Sequence, residues 1–211
     1  MTHDLPVASV ARRPDRWDGP DRWDSIAPLP PLLLADGSGP ALQQTSVRLC
    51  WDDAALHLRF DCDDRDIWGT YRERDDPLYD EEVVELFIAV GEATPKVYYE
   101  VEVSPLGAIY DTKISSPNGD RNDMVGDTAW DCDGLQPQIG RREGGWWAEI
   151  SVPWASIGAA GAPDVCRANL YRIERPRGEE PEFSCWSPTL TDPADFHRAG
   201  RFGTLRLAHR A

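Results

Sequence analysis

Apolar and polar residues alternate with period two in run after run of this chain, and helical periodicity is almost absent. That pattern limits the fold more than any other feature. Val47, Leu49 and Trp51 alternate with Arg48 and Cys50; after the Asp52-Asp53 turn, Leu56, Leu58, Phe60 and Cys62 alternate with His57, Arg59 and Asp61. The pair predicts a hairpin. Further strands are expected over residues 83–90, from 96 towards 104, over 146–152, 164–175 and 202–207, and in the short FSCWSP segment. Weaker ones are expected at 5–11, 28–35 and 135–139, with 115–128 as a loop. Trp23 and Ile26 are expected to plug one end of the core. About ten short strands cut by Gly, Pro and Asx turns imply an all-β fold, an antiparallel β-sandwich in one domain spanning 1–211. No amphipathic helix lies between strands, which argues against a parallel sheet.

The chain has 211 residues and a formal charge of -15, so nucleic acid and anionic membrane surfaces would be repelled. Neutral or cationic ligands fit better. The five cysteines have no zinc spacing, and Cys50 and Cys62 read as small buried hydrophobes. No apolar run is long enough for a signal sequence or a membrane span, so a cytoplasmic protein is expected, or a secreted one if a leader has been removed. Nine tryptophans suit a surface that uses flat aromatics, although burial is the commoner fate of Trp.

Residues 75–115 carry the densest chemistry. In the strand after residue 96, Val97, Tyr99, Val101 and Val103 share one face, and Tyr98, Glu100 and Glu102 share the other. Glutamate is a poor strand former, so the second face is either a ligand surface or a solvated sheet face. Asp61, Asp63, Asp64 and Asp66 cluster just after the first hairpin. Arg65 stands within the cluster, which breaks an EF-hand pattern and leaves a different calcium site or a solvated turn.

Several stretches, in order, resemble family 9 carbohydrate-binding modules: DGPDRW, VRLCWDDAALHLRFDCDD, DPLYDEEVVELFI, GGWWAEISVPW and DFHRAGRFGTLRL. The resemblance implies a jelly-roll-like β-sandwich that binds a carbohydrate or glycoconjugate, often with structural calcium. The family's two sugar-stacking tryptophans correspond to Tyr79 and Phe196, and its hydroxyl-binding arginine to Glu100. An acceptor thus replaces a donor fork. Arg172 and His197 are candidate donors, and Trp68 and Trp186 candidate extensions of the platform.

Two other classes stay open. A glycoside hydrolase or lyase would use two acids from Glu85, Glu100, Glu102 and Asp111; Glu100 and Glu102 are about 7 Å apart along one strand. A haem-binding relative would draw axial ligands from Met124, His57 or His197. For Arg172 the alternative is a buried ion pair with Glu85 or Glu100.

Overall fold

A computed structural model describes residues 4–119 and 121–208. Its thirteen strands are β1 (Val7–Arg12), β2 (Leu33–Leu34), β3 (Thr45–Trp51), β4 (Ala55–Asp63), β5 (Val83–Val90), β6 (Val97–Val103) and β7 (Ile109–Ser115). They continue with β8 (Val125–Asp127), β9 (Gln138–Arg142), β10 (Gly145–Pro153), β11 (Val165–Glu174), β12 (Glu182–Cys185) and β13 (Gly203–Ala208). Neighbouring strands follow the order β8-β7-β6-β5-β11-β13-β1-β3-β4-β10-β9, with β12 and β2 branching from β11. The hydrogen-bonded ribbon folds back on itself into a sandwich. Leu58, Phe60 and Ile150 from β4 and β10 pack in one cluster with Leu86, Ile88 and Val101 from β5 and β6.

The alternating runs form the expected hairpin β3–β4 and the central pair β5–β6. Three features differ from the pattern-based reading. β1 is no edge strand: it pairs in parallel with both β13 and β3. Long stretches of chain separate it from each partner, so no crossover helix is needed. β7 and β8 also go beyond the expected set, β8 lying inside the stretch read as a loop. Trp23 and Ile26 form a separate small cluster with Cys50 rather than plugging the main core.

A second apolar cluster lies on the other face of β5, β6 and β11. It contains Phe87, Tyr98, Tyr171, Phe196 and Phe202. That face is therefore no open solvated surface, because the loops around Leu78 and Phe196 pack over it. All five cysteines are free and buried, and burial pushes the Cys166 thiol up to about 12. No helix among the described residues is long and apolar enough to cross a membrane.

Candidate functional site

The covered face of β5, β6, β7 and β11 holds a cavity of about 490 Å³, and strand register builds its floor. Antiparallel pairing sets Tyr171 opposite Glu85, Glu85 opposite Glu102, and Glu102 opposite Tyr110, so these four side chains form one cross-strand row. The next row is Asn169, Phe87, Glu100 and Thr112. Directly opposed side chains share a face at close range. Hence the two glutamates of β6 converge with one from β5.

Loops supply the walls. Tyr79 rides on the short 3-10 turn Leu78–Asp80, anchored by fully buried Leu78. Next to it, Glu81 accepts the Thr70 amide at 2.7 Å, which ties down the preceding loop. The Tyr79 ring is 43% exposed and meets Tyr110 edge-on at 5.5 Å. Phe196 stacks on Tyr171 at 4.2 Å, and the Tyr171 hydroxyl donates to the Phe196 carbonyl at 2.9 Å. One face of Phe196 is thus already used and only 8% of the residue is exposed. His197 meets the Tyr98 hydroxyl at 2.9 Å through Nδ1. Burial, with help from Arg121, lowers its pKa to about 4, so the imidazole is neutral near pH 7.

The floor has unusual electrostatics. Oxygens of Glu85, Glu100 and Glu102 lie within 4.8 Å of one another, and all three residues are buried. Glu85 Oε1 and both Glu102 oxygens receive no hydrogen bond from a donor group. No ion pair joins the three to a lysine or arginine among the described residues. Desolvation drives the Glu85 and Glu102 pKa values well above the carboxylate range, and mutual repulsion adds to it. Desolvation also raises Glu100, but only to about 7, because the neighbouring Glu102 carboxyl and the positive charge of Arg121 offset part of it. Near neutral pH the cluster therefore retains protons that ordinary glutamates would have lost.

Two other acidic triplets differ in kind. Asp64, Glu82 and Glu174 surround Arg172, whose guanidinium lies 2.9 Å from Asp64 and 3.5 Å from Glu82. Asp75, Asp111 and Asp131 flank Arg74, which pairs with both Asp111 and Asp131. Each of these already contains its cation.

Tyr79, Phe196, Glu100 and His197, chosen from the sequence, come together around this one cavity. Arg172 does not join them. It is fully buried on the opposite face of β11, directed to Asp64 and Glu82 rather than to Glu85 or Glu100. Trp186 belongs to the main core and packs against Gly203, where an added Cβ would fall 2.4 Å from the indole. Trp68 is half-buried and does not line the cavity; its indole N–H donates to the Arg175 carbonyl. The four aspartates diverge instead of forming a calcium cradle: Asp61 binds Arg48 and Arg59, Asp63 binds Arg142, Asp64 binds Arg172, and Asp66 binds Arg177. Of the acids considered for catalysis, Asp111 pairs with Val101 and so faces away from Glu100 and Glu102. His57 binds Ser151 and Asp52 in a different depression, apart from Met124 and His197.

Tyr110, Phe183 and Arg175 also line the cavity and were not anticipated. The period-two alternation across 109–115 could have placed Tyr110 beside Glu102. Phe183 arrives through the β11–β12 pairing, for which the short FSCWSP stretch carries no register signal, and Arg175 follows directly on the end of β11.

A family model described as "Carbohydrate family 9 binding domain-like" matches residues 21–210. A protein of Arthroderma benhamiae named "Extracellular protein" is 24% identical over 207 residues, covering 93% of this chain and 88% of that protein. Among solved structures, a candidate carbohydrate-binding protein of Bacteroides uniformis superposes with a TM-score of 0.78 at 16% identity, over 97% of this chain and 100% of the other. A family 9 carbohydrate-binding module of Caldicellulosiruptor kristjanssonii, solved with cellotriose, gives 0.66 at 14% identity over 98% and 95% of the two chains. The same organism's module with glucose gives 0.64 at 14% identity over 98% and 97%.

Proposed function

The chain belongs to the carbohydrate family 9 binding domain-like family, and on that premise we propose that it binds saccharides non-catalytically in the cavity above β5, β6 and β11. The observation that carries this reading is the cavity itself: aromatic rings on its walls, hydrogen-bonding carboxyls on its floor, and a volume suited to a small organic ligand. Pyranose rings present apolar C–H faces and a rim of hydroxyls, which such a surface complements.

Within this reading Tyr79 is the stacking ring, because it retains exposed area, whereas Phe196 supports from the side with its remaining edge. Glu100 accepts from sugar hydroxyls. His197, neutral at physiological pH, offers a further polar contact. The family 9 modules solved with cellotriose and glucose support the ligand class. Affinity in the micromolar to millimolar range corresponds to about 4 to 8 kcal/mol, which one stacked ring and a few hydrogen bonds can supply.

The test is calorimetric titration with gluco-oligosaccharides and related sugars, comparing wild type with Tyr79→Ala. Saturable heat that weakens at least about tenfold in Tyr79→Ala supports the reading. Measurable hydrolysis of a bound oligosaccharide, abolished by Glu100→Gln, would instead establish an enzyme.

A further inference from the structure

Three buried carboxyls with no cation among them, at the bottom of an aromatic cavity, require an explanation beyond hydroxyl binding. Each hydroxyl of a neutral sugar offers a single O–H donor and brings no positive charge to these acceptors. Resting on the saccharide reading above, we infer that Glu85, Glu100 and Glu102 select a ligand bearing a primary ammonium group, that is, an amino sugar presented amine-first to the floor of the cavity.

The geometry suits that group. An ammonium has three N–H donors, and charge-assisted bonds to carboxylates run about 2.7–2.9 Å. Tetrahedral donors of that length reach acceptors somewhat over 4 Å apart, and the three carboxyls have oxygens within 4.8 Å of one another. One ammonium can therefore touch all three. The otherwise unserved oxygens, Glu85 Oε1 and both oxygens of Glu102, are those that would receive it.

The surroundings favour an organic cation over a bare metal ion. Calcium takes six to eight oxygen ligands, whereas the side chains closing over the triad include the rings of Tyr79, Tyr110 and Phe196. Aromatic rings attract ammonium groups and stack on pyranose C–H faces. The cavity of about 490 Å³ is also far larger than one ion requires.

The two cations on the lining do not occupy the place of the ligand amine. Arg121 is paired with Asp195 at 2.5 Å. Arg175 lies over the Phe183 ring at 5.4 Å and reaches the Tyr79 carbonyl. Asp80, also on the lining, adds to the negative character of the cavity.

The experiment titrates the full chain with a β-1,4-linked glucosamine trimer, its fully N-acetylated counterpart, and cellotriose, each in EDTA and again in calcium. Wild type is expected to bind the free-amine trimer at least about tenfold more tightly than the other two, the scale of one charge-assisted contact. Glu102→Gln should reduce that preference to within about twofold, with Glu85→Gln as the second variant should the first fail to fold. Equal affinity for the three trimers overturns the inference and leaves the saccharide reading intact. Absence of heat with every sugar overturns both. Saturable binding of calcium alone that disappears in Glu102→Gln, without any amine preference in EDTA, makes the triad a metal site and also overturns the inference.

Discussion

Replacing Glu102 with glutamine should stabilise the protein at alkaline pH while impairing its ligand selectivity. Glu102 is wholly buried, receives no donor, and faces Glu85 and Glu100 at close range. A group whose folded pKa is raised contributes stability that is full below its unfolded pKa and is lost as pH rises through the folded value. For Glu100 the window runs from its ordinary 4.5 to about 7, and a shift of that size is worth roughly 3 kcal/mol. Burial also raises Glu85 and Glu102 well above 4.5, so their contributions too are lost as pH rises. Glutamine keeps the shape of a protonated Glu102 and can donate to Glu100, but it never acquires charge. The variant should therefore match wild type at pH 5 and exceed it at pH 8 by about 2 kcal/mol, which is about 4–8 °C in melting temperature for a chain of this size. The assay is calorimetric or fluorimetric melting of both proteins from pH 5 to 9. Other titrating groups, including Glu82, Asp111 and His197, occur in both proteins, so the difference between them isolates the triad. A variant that is less stable at pH 8, or an offset that does not change with pH, refutes the reasoning.

Tyr79→Ala should lose at least about tenfold in saccharide affinity while changing stability by less than about 1 kcal/mol, because the residue is 43% exposed and its ring contact is the edge-on one with Tyr110. Phe196→Ala should weaken binding and also cost about 3 kcal/mol, since its ring stacks in the second core; melting curves alongside titrations separate the two effects. Arg172→Met should destabilise by about 3–5 kcal/mol by stranding Asp64 and Glu82 in the interior, with sugar affinity unchanged in protein that remains folded. Gly145→Ala should cost more than about 2 kcal/mol, because the new Cβ would sit 1.9 Å from the Cys62 carbonyl oxygen; a melting point within 2 °C of wild type would count against that packing.

Alternation along the chain was enough to predict the β3–β4 hairpin, the β5–β6 pair and the shared face of Glu100 and Glu102, because side-chain direction in a strand follows from local backbone geometry. Quoted motifs, taken in order, carried the family, and they brought Tyr79, Phe196, Glu100 and His197 into view as candidates. Tertiary structure decided which residues those candidates would meet. Arg172 alternates correctly with its neighbours in β11, yet whether it faced a ligand or a carboxylate depended on Asp64, more than a hundred positions away. The aspartates at the end of β4 and just past it looked like one cluster in sequence, and they paired with separate arginines, because charged side chains satisfy themselves with whatever the folded chain brings within reach. Glu85 meets Glu102 only through the register of two antiparallel strands. Strand propensity and alternation are short-range and can be read from the chain, whereas the partner of a buried charge is set by long-range packing.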